Sequence, residues 1–125
     1  MSSMPKPSAE AREAFEGLVP EHPAVTVRPM FGNVSAFVNG NMFTGLFGED
    51  LFVRVPDANR EELLAEGGAD FSPMPGRPMR GYVMLPAGWR ERPEPTRRWI
   101  DRSLEFAATL PPKEARKTSS RKARS

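Results

Sequence analysis

Apolar positions along the chain change period three times. Ala11, Ala14, Phe15, Leu18 and Val19 recur at helical spacing, with Arg12, Glu13, Glu16 and Gly17 on the opposite side. Ser8 can cap this helix by accepting from a first-turn amide, and Pro20 and Pro23 end it. Residues 25–31 and 34–38 then alternate as strands. Asn39-Gly40 follows, a pair suited to the positive φ angles of a two-residue hairpin turn. Residues 42–47 form the return strand, Gly48-Glu49-Asp50 turns again, and residues 51–55 make a fourth strand. Asp57 or Asn59 is expected to cap a short helix with Leu63, Leu64 and Ala65 on its apolar side, stopped by Gly67-Gly68. Residues 69–71 and 82–86 read as brief strands around a proline- and glycine-rich loop. A last helix opens near Pro95. It gathers Trp99, Ile100, Leu104, Phe106, Ala107 and Leu110 on one face and ends at Pro111-Pro112. The order α-β-β-β-β-α-β-β-α predicts an α+β, two-layer domain: an antiparallel sheet of about five to six strands packed with three helices.

The hairpin sets Val38 opposite Asn41, and the faces follow by counting in twos. On that count Val34, Ala36, Val38, Phe43, Phe47 and Phe52 share one face, and Arg54 joins them. Phe37, Met42, Leu46, Leu51, Val53 and Val55 share the other. Both faces are apolar, unlike an antiparallel sheet with one wet side. Either helices cover both faces or one face meets another chain; in the second case the candidate is a homodimer or another protein partner.

Composition removes much chemistry. The 125 residues include no cysteine and a single histidine, His22, which excludes thiol catalysis, Cys-ligated metals and multi-histidine centres. Gly76-Arg77-Pro78-Met79-Arg80-Gly81 has the glycine spacing of a phosphate loop but is followed by Tyr82-Val83 in place of Lys-Ser or Lys-Thr. Residues 57–68 lack the central glycine and terminal glutamate of a calcium loop. Ser35 is not in a nucleophile elbow. The carboxylate pairs Glu61-Glu62 and Glu49-Asp50 are adjacent in sequence and read as solvated charge. No catalytic residue, metal or cofactor is expected, and the chain reads as non-enzymatic.

Charge is uneven. Of 18 basic and 16 acidic residues, the last thirteen positions hold Lys113, Arg116, Lys117, Arg121, Lys122 and Arg124 against Glu114 alone. The expected organisation is a disordered lead-in over 1–7, a domain over 8–112 and a disordered basic tail over 113–125. Such a tail can attract nucleic acid without sequence preference, and it has no aromatic ring to stack on a base. No apolar run approaches a membrane span of about 20 residues. Residues 1–8 lack the apolar core of a secretory signal, so a cytoplasmic location is expected.

Arg28-Pro29-Met30-Phe31-Gly32, Val38-Asn39-Gly40-Asn41-Met42 and Asp50-Leu51-Phe52-Val53-Arg54 follow one another in a spacing that resembles the TfoX/Sxy N-terminal domain family. So do Asp70-Phe71 leading to Gly76–Val83, and the last helix from Trp99-Ile100 to Leu110-Pro111-Pro112-Lys113. Pro29 departs from the basic or polar residue usual at that place, and residues 89–95 are richer in proline and arginine than expected. The resemblance implies a compact α/β domain. Its namesakes are bacterial competence regulators thought to act with the cyclic-AMP receptor protein, and they carry a second, C-terminal domain that is not expected here. A stand-alone regulatory or interaction domain, with a possible role as transcriptional co-regulator, is therefore expected.

The surface expected to serve it comprises Met30, Phe31, Gly32, Phe43, Phe47, Phe52, Arg54, Arg77, Arg80 and Tyr82. Phe31 could instead pack in the core while Gly32 permits a bend. The alternative function is a small-molecule, anion-binding protein using the aromatic sheet face with Arg54, Arg77 and Arg80.

Overall fold

The computed structural model describes residues 6–30, 32–72, 76 and 79–112, the side chain of Met30 excepted. Along the chain come α1 (Ala9–Leu18), β1 (Val25–Met30), β2 (Asn33–Val38), β3 (Asn41–Phe47) and β4 (Asp50–Arg54). Then follow α2 (Asp57–Ala65), β5 (Ala69–Asp70), β6 (Tyr82–Met84), a single 3-10 turn at Trp89–Glu91 and α3 (Pro93–Ala108). The strands form one antiparallel sheet in the order β1-β2-β3-β4-β6-β5. The α+β class and the order of elements are those the sequence pattern predicts.

Local chemistry sets most boundaries. Ser8 caps α1, its Oγ accepting from the Ala11 amide at 3.1 Å. Asn39 and Gly40 take φ of 51° and 82°, the type I′ turn that the dipeptide favours. The start of α2 differs from expectation: Pro56 is the N-cap, and neither Asp57 nor Asn59 caps the helix. Asn59 instead spends its side-chain amide on Glu62 at 3.3 Å. α3 begins two residues before Pro95, at Pro93, because a proline at the first helical position gives up an amide that has no partner there.

One irregularity decides the faces of the sheet. Between β2 and β3 the partners run Val38↔Asn41 and Phe37↔Met42, then jump to Ala36↔Thr44. Phe43 is the extra residue of a β-bulge. A one-residue slip turns every later side chain to the other side. Leu46, Leu51, Val53 and Val55 therefore join Val34, Ala36, Val38 and Phe43 in the main core beneath α1 and α3. Phe47, Phe52 and Arg54 move to the second face, with Phe37 and Met42. Counting in twos had grouped Phe43 with Phe47 and Phe52, and the bulge corrects this. Its effect is to set Leu46, Leu51, Val53 and Val55 beside Phe43 under the helices and to gather Phe37, Phe47 and Phe52 on the side away from them.

The bulge has a partner on α3. Ser103 is fully buried, its hydroxyl donates to the Phe43 carbonyl, and it accepts the Arg54 N–H at 3.0 Å. In the Thr44↔Val53 register these two backbone groups face each other, so the hydroxyl occupies a rung of the β3–β4 ladder. Ser103→Ala leaves a buried donor and acceptor without this bridge. A loss of about 1–3 kcal/mol is expected in urea denaturation, and an unchanged midpoint would remove the bridging role. The helical wheel passes over Ser103 because it is polar, although it lies three residues after Ile100 and four before Ala107.

Glu49 is more than solvated charge. Its carboxylate accepts from the Ser8 N–H at 2.7 Å and the Ser8 hydroxyl at 3.2 Å, and lies 3.6 Å from Arg90. Its carbonyl accepts from Trp89 Nε1 at 2.9 Å. The β3–β4 turn thus fastens the start of α1 and the 3-10 turn to one end of the sheet.

The β1 edge is guarded. Asn39 N–H donates to the Ala24 carbonyl, which phases the β1–β2 ladder so that even residues bond inward and odd residues face out. Pro29 therefore sits where its missing N–H costs no internal bond and deprives an incoming strand of a donor.

Candidate functional site

The second face of the sheet is built in cross-strand rows. Thr26, Phe37 and Met42 are neighbours in one row, Arg28, Ser35, Gly45, Phe52 and Met84 in the next. Gly45 belongs to the second row for a steric reason. A Cβ there would lie 2.7 Å from Phe52 Cζ and 2.5 Å from Ser35 Oγ, so the ring of Phe52 lies across bare backbone. Phe71, just after β5, stacks on that ring at 4.4 Å and meets Phe47 edge-on at 5.4 Å. Tyr82 meets Phe52 edge-on at 5.7 Å. Phe52, Phe71 and Tyr82 form a small second core, with Met42, Phe47, Met79 and Met84 partly buried around it. The loop that returns to β6 is closed by Met79 N–H on the Phe71 carbonyl at 2.8 Å.

Two arginines lie on this face, each over an aromatic ring. The Arg28 guanidinium is 4.3 Å from the Phe37 ring centre, and that of Arg54 is 5.5 Å from the Tyr82 ring centre. Neither has a carboxylate partner among the described residues. The Tyr82 hydroxyl donates to the Met42 carbonyl at 3.0 Å. Burial pushes its pKa up, with Arg54 pulling weakly the other way.

A separate, open cleft of about 400 Å³ lies beside α2 and β5, lined by Asp57, Arg60, Glu61, Asp70 and Arg80. Arg60 is already spent in a two-pronged bond to Asp70, at 2.8 and 2.9 Å. That bond holds the Asp70 carboxyl below its ordinary pKa. The tether is present above the ordinary carboxylate range and is lost as pH falls through the depressed value of Asp70. With three carboxylates and one uncommitted arginine, the lining does not favour an anion.

Residues 16–107 match the model of the TfoX N-terminal domain. The chain belongs to the TfoX N-terminal domain family. No curated protein sequence matches it. The matched stretch runs from within α1 to near the end of α3 and includes every strand.

In this TfoX N-terminal domain the expected surface is only partly a single site. Phe47, Phe52, Arg54 and Tyr82 lie together on the second face. Phe43 does not: it is fully buried on the helix side. Arg80 lines the cleft by α2. Gly32 makes the β1–β2 turn with φ of 83°, and its carbonyl accepts from Arg12 at 3.4 Å. Phe31, Arg77, the side chain of Met30 and the basic residues Lys113, Arg116, Lys117, Arg121, Lys122 and Arg124 lie outside the described residues. Arg28, Phe37, Met42 and Phe71 were missing from the expected surface. Phe37 and Met42 flank the hairpin turn, so their shared side was readable, whereas the bulge that brings Phe47 and Phe52 beside them was not.

Among the described residues no group of three or more His, Cys, Asp or Glu is placed to hold a metal ion. His22 uses Nδ1 to accept from the Ala24 amide at 3.0 Å in an exposed turn. No helix among the described residues is long and apolar enough to cross a membrane.

Proposed function

We propose that this TfoX N-terminal domain is a non-enzymatic interaction domain of a regulatory protein, acting as a transcriptional co-regulator through the second face of its sheet. One observation carries the reading: helices cover the side that carries the main core, whereas Phe37, Met42 and Phe47 on the other side are only half-buried and stand beside two arginines without carboxylate partners among the described residues. Apolar area left beside fixed cations is what a protein partner can bury. The six basic residues of 113–125 add an attraction to nucleic acid that is independent of sequence.

The test is complementation. In source cells lacking the gene, the wild-type chain is expected to restore the affected transcripts. A Phe37→Ser/Met42→Ser variant, with its folding checked by thermal unfolding, is expected not to. Full restoration by that variant overturns the reading. Control replacement of the exposed Glu13 should have no effect.

A further inference from the structure

We infer that the occupant of the second face is an acidic protein segment with apolar anchors, its carboxylates meeting Arg28 and Arg54 while its apolar side chains cover Phe37, Met42 and Phe47. This rests on the reading of that face as the working surface and adds the chemistry of the partner.

Three observations converge on it. The first is charge. Arg28 and Arg54 stand at opposite sides of the half-buried apolar patch, on β1 and β4, with no carboxylate bound to either among the described residues. Across the strands from β1 to β4 the distance is about 14 Å, the reach of a short extended segment. The guanidinium groups are already held against rings, so little side-chain freedom remains to be lost when a carboxylate binds.

The second observation concerns nucleic acid. A stacking platform needs open ring faces. Here the face of Phe37 carries Arg28, Tyr82 carries Arg54, and Phe52 is stacked on Phe71. Phe47, which meets Phe71 edge-on, is a single remaining ring where successive bases need a row of them, whereas the pliable side chains of Met42 and Met84 suit irregular protein side chains.

The third excludes a second copy as the best fit. Asp50, which pairs with Phe47 at the margin of this face, is the one carboxylate at its strand positions among the described residues. A two-fold contact would bring four arginines against two carboxylates and leave net positive charge in the interface. An acidic partner removes that excess.

The experiment uses the full chain and a fluorescein-labelled twelve-residue peptide of alternating glutamate and leucine, followed by anisotropy. Saturable binding that weakens with salt is expected, with no binding of the matching lysine–leucine peptide. In an Arg28→Glu/Arg54→Glu variant of unchanged thermal midpoint, affinity for the acidic peptide should fall by about tenfold or more, and the lysine peptide should now bind. This exchange of preference separates a face contact from attraction to the basic residues of 113–125, which the variant retains. Unchanged affinity in the variant, or preference of the wild-type face for a twenty-nucleotide deoxythymidine strand, overturns the inference. So does a wild-type chain that sediments as a dimer and becomes monomeric in the face variant. If complementation fails in the Phe37→Ser/Met42→Ser variant while neither peptide binds, the surface stands and the partner chemistry falls.

Discussion

Replacing Gly45 by alanine is expected to lower the stability of the domain by about 3 kcal/mol, the upper part of the usual overpacking range. The added Cβ would stand 2.5 Å from Ser35 Oγ and 2.7 Å from Phe52 Cζ. A serine hydroxyl can rotate away. The ring cannot, because it is stacked on Phe71 at 4.4 Å and held edge-on by Tyr82 at 5.7 Å. It must lift from the sheet and take the second core with it, or β3 and β4 must part. The cause is testable by coupling. In a Phe52→Leu background the same alanine should cost at least about 1 kcal/mol less, since a shorter side chain no longer lies across the backbone. Urea denaturation of the four proteins measures both quantities. A midpoint that does not move in Gly45→Ala, or two costs that simply add, would mean that the ring does not depend on bare backbone beneath it.

The elements that could be read from the chain are those with local causes. Ser8 marks a boundary through its hydroxyl, Asn39-Gly40 and Gly67-Gly68 through their backbone freedom, and α1 and α3 declare a buried stripe by periodicity. The faces could not be read, because their assignment depends on one unpaired residue in β3, and nothing in the local sequence of Met42-Phe43-Thr44 announces a bulge. The relation between β3 and β4 was nevertheless legible: Leu46 with Leu51 and Phe47 with Phe52 are partners by face both in the count and in the structure. Only the link to β2 was displaced. The same limit hid Ser103, whose role follows from an α3–sheet contact about 50 residues away in sequence from Arg54 and 60 from Phe43. It also hid the second core, since Phe71 reads as the end of a brief strand until the fold lays it on Phe52.

The displaced face makes a sharp prediction for Phe43. If Phe43, Phe47 and Phe52 shared one environment, truncating Phe43 and truncating Phe47 would have similar consequences. In the structure Phe43 is fully buried in the main core, and Phe47 is half-buried at the rim of the second. Phe43→Ala is expected to cost about 3–5 kcal/mol, because the ring leaves a cavity between sheet and α3 that the surrounding side chains cannot fill. The α3–β3 packing that holds Ser103 in its rung should loosen with it, so protection of the Arg54 amide from hydrogen exchange should drop beyond the global loss. Phe47→Ala should cost less than half as much and leave that amide's protection at the level set by global stability. The difference between the two losses decides between the two registers. Equal losses in the two variants would return Phe43 to the face of Phe47 and abolish the bulge, and with it the separation of the helix-covered core from the working surface.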